Sequence, residues 1–225
     1  MTGTVCLQGG GEFSLACREM DEELVRLAGG RVVVTALAGV KGRDYYTATA
    51  NGVRHFKALG ARDVVAAPDV REDPSGALIA LETARLIVLP GGSPTRLLAA
   101  VTTTPVGQAI SDLLAEDGVV MGASAGAMVL CPWTVLPDHE EGLTVAPGLG
   151  LVGSLLVAPH WSGPAGRESW LGAAKTHAPE VVVLGIPEES GVLIRGGVLT
   201  AVGRSSTTVV TEGRDLAPGQ TWEQA

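Results

Sequence analysis

The sequence predicts an α/β fold, three layers (α/β/α) around a mostly parallel sheet, with an antiparallel extension toward the C-terminus. Three observations predict it. From residue 4 to about residue 130, short apolar runs alternate with helical patterns, the βαβα order that builds a parallel sheet covered on both faces. The apolar residues, 46% of the chain, are mainly Val, Leu, Ala and Ile, which suits buried parallel strands under Ala/Leu-rich helices. Beyond Met128 the texture changes. Pro132, Pro137, Pro147, Pro159 and Pro164 punctuate short segments, and closely spaced strands follow.

Thr4–Leu7 reads as the first strand, ended by Gly9-Gly10-Gly11, and Ser14–Ala28 as the first helix. Arg31–Leu37 is the second strand and Asp44–Leu59 a polar helix. Asp63–Ala67 is the third strand, followed by a short helix near Ser75–Thr83. Arg85–Leu89 is the fourth strand and runs into PGGSPTRLLAAV, where Ser93 suits an N-cap and Pro94 the first helical turn. A helix at Pro105–Glu116 leads to the strand Gly118–Gly122 and a further helix. The later part predicts a strand ending at Pro159, a helix at Ala165–His177, and strands at 181–186, 191–195, 198–202 and 207–211. IRGGVL has the form of a hairpin. The reading is one α/β domain over residues 1–212 and a polar tail, 213–225, expected to fray.

Composition narrows the function classes. Sixteen Lys plus Arg against 24 Asp plus Glu give a net charge of −8, with no basic block, which argues against nucleic acid and anionic membrane as partners. The N-terminus lacks a charged region followed by an apolar core, and the longest nearly apolar run, 118–133, is too broken to span a bilayer. A cytoplasmic protein with reduced, buried Cys6, Cys17 and Cys131 is the expectation. No His/Cys or paired-carboxylate spacing suggests a metal, QGGGEF is not GxGxxG, and no cofactor is expected.

The chemistry centres on Gly122-Ala123-Ser124-Ala125-Gly126, a GxSxG between a strand and a helix. Small neighbours permit a tight turn that holds the Ser124 hydroxyl above the carboxyl edge of the sheet. The Ala125 N–H, in the first helical turn, would face the oxyanion of a tetrahedral intermediate. A second donor is expected from Leu89-Pro90-Gly91-Gly92-Ser93, where another strand gives way to a helix. Of the four histidines, His55 lies mid-helix beside Phe56, His177 ends a helix, and His139 stands in the charged DHEE. His160 follows an apolar strand and precedes Trp161, so it is placed to act as the base. The orienting carboxylate is either Asp138 or one of Glu188 and Glu189, which follow the strand expected beside that of His160.

LQGGGE, LPGGSPTRLLAAV, GASAGAMVL, LTVAPGLGLV, PHWSGPAGR and GIPEESGVLI, in this order from about residue 5 to 195, resemble the serine hydrolase family that includes peptidase E (an α-aspartyl dipeptidase) and cyanophycinase. The resemblance implies the class I glutamine amidotransferase-like (flavodoxin-like) fold, Ser124 as nucleophile, His160 as base, and the N–H groups of Gly92 and Ala125 as the oxyanion hole. It favours Glu188 as the acid and keeps Asp138 open, because members of the family differ here. Ser93-Pro94 replace the polar pair usual after the GG turn, and Ala158-Pro159 stand where cyanophycinases carry Asp-Gln. Cyanophycin is therefore disfavoured. Ser93 and Arg167 are candidate substrate contacts, with Arg96 and Arg167 candidates for binding an acidic side chain. The implied function is a serine-type peptidase cleaving a small peptide, aspartyl dipeptidase-like. The alternatives are a cyanophycinase-like β-aspartyl peptidase and a silent small-ligand-binding member of the fold. An α/β-hydrolase esterase is disfavoured because no histidine follows His177.

Overall fold

Runs of Val, Leu and Ile with few polar interruptions form strands buried on both faces, and here they line up side by side. In the computed structural model, which describes residues 2–138 and 142–223, β1 (Thr4–Gln8), β2 (Val32–Val34), β3 (Val64–Ala66), β4 (Leu86–Leu89) and β5 (Val119–Ala123) run parallel. Their order is β3-β2-β4-β5-β1. Gln8 pairs with Ala123 and Leu89 with Gly122, so the segments after β1, β4 and β5 leave the sheet at one edge. That edge is where ligand sites of open α/β sheets form.

The side-chain alternation of these strands divides the core. Val5, Leu7, Ile87, Leu89 and Val120 pack with α3 (Pro74–Glu82), α4 (Pro94–Thr103), α5 (Val106–Ala115) and α6 (Ala125–Leu130). Cys6, Val32, Val34, Val88 and Met121 pack with α1 (Arg18–Ala28) and Phe56 of α2 (Arg43–Ala58). The result is the three-layer arrangement the composition predicts. Cys6, Cys17 and Cys131 are buried free thiols. No single helix among the described residues is long and apolar enough to cross a membrane.

Beyond β1 the sheet continues antiparallel through β10 (Ser190–Arg195), β11 (Val198–Gly203) and β14 (Thr221–Glu223). The IRGGVL hairpin forms as expected. Arg195 pairs with Val198, and Gly196 and Gly197 take φ of 58° and 85°, the double positive φ of a type I′ turn. A second, four-stranded sheet holds β8 (Leu155–Pro159) parallel to β9 (Val182–Ile186), with β12 (Thr207–Val209) and β13 (Arg214–Leu216) antiparallel beyond them. One of its faces adds Val157, Leu184 and Ile186 to the main core. The other packs Leu156, Ala158 and Val183 against Trp161 and against Trp170 and Ala174 of α7 (Glu168–His177).

One segment gains an element and one expectation needs correction. The segment 133–147, where Pro137 and Pro147 punctuate short runs, is a hairpin of β6 (Trp133–Asp138) and β7 (Gly142–Pro147). Among the described residues it pairs with no third strand, so Pro137 and Pro147 remove no ladder bond from a sheet interior. The polar tail does not fray through residue 223, because two apolar anchors tie it down. Leu216 on β13 is fully buried, and Trp222 on β14, 8% exposed, lies opposite Leu199 at the edge of the main sheet. Trp222→Ala is expected to cost about 3 kcal/mol, the usual scale for an aromatic truncated in a core. Urea unfolding with an unchanged m-value and a lowered midpoint would register it.

Candidate active site

The turn after β5 is shaped by what its glycines must touch. A Cβ on Gly122 would lie 2.8 Å from the Ala127 nitrogen, and one on Gly126 would strike the carbonyl oxygen of Leu89. Only hydrogen fits at either place, which is the physical content of the GxSxG spacing. Between them Ser124 takes φ 50° and ψ −106°, a conformation L-residues avoid, and α6 begins at the next residue. The Ser124 N–H donates to the Gln8 carbonyl at 2.8 Å, locking the turn to the end of β1. Its hydroxyl does not cap the helix; Oγ lies 2.8 Å from His160 Nε2.

His160 is held as firmly. It follows β8 at φ 52°, and its N–H donates to the Gly9 carbonyl at 2.8 Å. Arg167 Nη2 donates to the carbonyls of Pro159 (2.7 Å) and His160 (3.1 Å). On the far side of the ring from Ser124's partner nitrogen, Nδ1 lies 3.0 Å from Glu188 Oε1. With Nδ1–H donating to the carboxylate, Nε2 is left as the acceptor for the serine proton. The imidazole and the Glu188 side chain are 46% and 63% exposed, so this relay is open to solvent.

The two neighbouring glutamates are separated by their partners. Glu189, at φ 58°, gives its N–H to the Gly10 carbonyl and its carboxylate to Arg204 at 2.8 Å. The Arg204 guanidinium holds that carboxyl below the ordinary glutamate range. Of these two, Glu188 meets the imidazole. Asp138, the other sequence candidate, ends β6, and its side chain lies outside the described residues, as does all of His139.

The expected oxyanion donors sit on adjoining turns. Gly92 has φ 139°, and a Cβ there would approach the Ala38 carbonyl oxygen to 2.9 Å. Its N–H has no protein acceptor among the described residues. Ala125 opens α6, where first-turn N–H groups have no intrahelical partner. Ser93 accepts the Arg96 N–H at 3.3 Å and so caps α4. Arg96 Nε donates to the Ala38 carbonyl, the group that also packs on Gly92. Among the described residues no group of three His, Cys, Asp or Glu could hold a metal ion.

Two features escaped the motif reading. Gly9-Gly10-Gly11 is a floor for the His160 ring, because a Cβ on Gly10 would lie 2.7 Å from His160 Nδ1 and one on Gly9 would strike the Pro187 carbonyl. The signal was three glycines directly after a strand. The second is a carboxylate–imidazole pair tied to the Gln8 side chain at the end of β1. His55 packs against Phe13 and Phe56, and its Nε2 lies 2.7 Å from Oδ2 of the fully buried Asp21, whose Oδ1 accepts from Gln8 Nε2 at 3.2 Å. Burial pushes the Asp21 carboxyl up, against the pull of its bond to His55.

The order of these segments and the elbow geometry agree with one family profile, which matches residues 5–202. The chain belongs to peptidase family S51. Peptidase E of Escherichia coli O1:K1 and of Shigella boydii serotype 18 are 26% identical to it over 148 residues, 62% of this chain. The match spans 64% of the length of those relatives. A crystallised peptidase from an acI-B1 Actinobacterium superposes with a TM-score of 0.83 at 23% identity, covering 100% of this chain and 98% of that one. A putative peptidase E from Listeria monocytogenes EGD-e superposes with a TM-score of 0.65 at 18% identity over 91% of this chain and 100% of the other. In this chain β1, β4, β5 and β8 end around one serine.

Proposed function

We propose that this S51 chain is a serine-type dipeptidase that removes N-terminal aspartate from small peptides, as the resemblance to the peptidase E family implies. The observation that carries the reading is the continuous Ser124–His160–Glu188 chain of hydrogen bonds, 2.8 and 3.0 Å, at an elbow no structural requirement explains. Ser124 Oγ attacks the scissile carbonyl carbon as its proton passes to His160 Nε2, and Glu188 stabilises the imidazolium that forms. The N–H groups of Gly92 and Ala125 take up the negative oxygen. The imidazolium then protonates the leaving amine, and water, deprotonated by the same nitrogen, releases the acid.

Preference for aspartate needs a cation near the acyl side. Three arginines contact His160, Glu189 or Ala38, and Arg71, at the neighbouring Gly39, is paired with Asp69. Arg204 is paired with Glu189, and Arg167 holds the backbone of Pro159 and His160. Arg96 has no carboxylate partner among the described residues and is anchored at Ala38, beside Gly92. We assign it to the aspartate side chain. The test is a panel of Asp-X, isoAsp-X, Glu-X, Ala-X and β-Asp-Arg dipeptides. Asp-X is expected to turn over fastest, and Arg96→Gln to lower its kcat/KM about 10- to 100-fold, the weight of a charged hydrogen bond, with Ala-X little changed. Preferential cleavage of β-Asp-Arg would replace this reading with a cyanophycinase-like one. No turnover on any of them would leave a pocket that binds without cutting.

A further inference from the structure

The glycine loop after β1 delivers one more charged group to the site. Glu12 follows Gly11 directly, and its Oε1 accepts the Gly91 N–H at 2.7 Å. The position a Cβ would take on Gly91 is 3.0 Å from Glu12 Oε1 and 3.3 Å from the Cβ of Ser124. The carboxylate and the nucleophile's side chain therefore border the same point. Glu12 is half-buried, and no Lys, Arg or His lies within ion-pair distance of it among the described residues.

A partly desolvated carboxylate beside an oxyanion site is electrostatically awkward. It opposes the negative charge the reaction must develop a few ångströms away. The hydrogen bond to Gly91 does not require it, since a glutamine carbonyl oxygen would accept that N–H equally well. What is missing is a cation, and a substrate with a free N-terminus carries one. In such a substrate the ammonium nitrogen is one Cα away from the scissile carbonyl carbon, about 2.5 Å by standard backbone dimensions. Once that carbon is on Ser124 Oγ, the ammonium lies within reach of a group packed beside the Ser124 side chain.

We infer that Glu12 binds the α-ammonium group of the substrate, so that this peptidase acts on the bond that follows a free N-terminal residue and rejects N-blocked peptides. The inference rests on the serine-peptidase reading of Ser124. The ammonium cancels the Glu12 charge as the oxyanion forms, so the contact favours the transition state as well as binding. It also sets an exopeptidase register without a wall to close the cleft.

The experiment compares alanine p-nitrophenyl ester with its N-acetyl derivative, two activated esters that need neither the aspartate contact nor a difficult leaving group. The wild-type chain is expected to favour the free amine about 100-fold in kcat/KM, the scale of a charge-assisted contact. That preference should decline as pH rises through the substrate's own amine pKa, about 7.7 for an α-amino group. Glu12→Gln keeps an acceptor for Gly91 and should bring the ratio between the two esters close to one, through kcat as well as KM. Glu12→Asp should restore part of it. Equal use of both esters by the wild type, or an equal loss on both in Glu12→Gln, overturns the inference and leaves the peptidase reading standing. Ester turnover undiminished by Ser124→Ala overturns both.

Discussion

Ser124→Ala is expected to lower kcat on a cleaved dipeptide by about 10⁴- to 10⁶-fold, the range seen when a triad nucleophile is removed, and to leave the protein folded. The two halves of that expectation have separate grounds. The hydroxyl makes one side-chain hydrogen bond, to His160 Nε2, and does not cap α6, so its loss removes the attacking atom and little else. What holds the turn is backbone: the Ser124 N–H on the Gln8 carbonyl, and the hydrogen-only contacts at Gly122 and Gly126. Residual hydrolysis would come from the oxyanion donors acting on water. Ser124→Gly sharpens the test. Glycine accepts φ 50° without strain, so this variant should be inactive yet more stable than wild type by about 1 kcal/mol. For a chain of this length that is roughly 2–4 °C in thermal midpoint. A serine kept in a conformation that glycine would relieve is strain retained for its hydroxyl. Full activity in Ser124→Ala would remove the nucleophile from the proposal altogether.

Much of the fold was legible because local chemistry and global arrangement agreed. β5 is buried on both faces and reads as an uninterrupted apolar run, and α4 is announced by a capping serine and a first-turn proline. The misreadings fall where that agreement lapses. In β6–β7, prolines that would break a central strand sit harmlessly on a two-stranded hairpin, so the proline spacing announced no strand there. In β13 and β14, three-residue strands among polar residues are held by one buried side chain each, Leu216 and Trp222, too short a signal for periodicity. The division of β8 and β9 into a second sheet depends on β10 taking the place beside β1, a long-range pairing no local pattern encodes. The site was legible in its residue types and not in its contacts. Nothing local distinguishes Glu188 from Glu189; the separation comes from Arg204, fifteen positions further on, reaching one of them. The Glu12–Gly91 bond joins positions 79 apart and has no sequence period at all.

Gly10→Ala is expected to disable the enzyme through the histidine rather than the serine. Gly10 has φ 131°, a region closed to side chains, and its missing Cβ would stand 2.7 Å from His160 Nδ1. Something must move by several tenths of an ångström or more, and the neighbours are poorly placed to do so. The loop is pinned by Gly9 and Gly10 carbonyls accepting from His160 and Glu189, and the His160 backbone is held from behind by Arg167. The free coordinate is the imidazole ring, which can turn only by giving up Ser124 on one side or Glu188 on the other. Misplacing a catalytic group by about 1 Å costs on the order of 100-fold, so kcat should fall at least that far. Backbone strain alone would also lower stability by about 1–3 kcal/mol, and a control must separate the two. Gly197→Ala supplies it. Gly197 has φ 85° with nothing within 4 Å of its would-be Cβ, in the β10–β11 turn at the opposite end of the strands. That variant should lose stability and keep its rate per folded molecule, whereas Gly10→Ala should lose both. Equal rates per folded molecule in the two variants would mean that the ring tolerates the intrusion and that the glycine loop shapes the backbone without positioning the base.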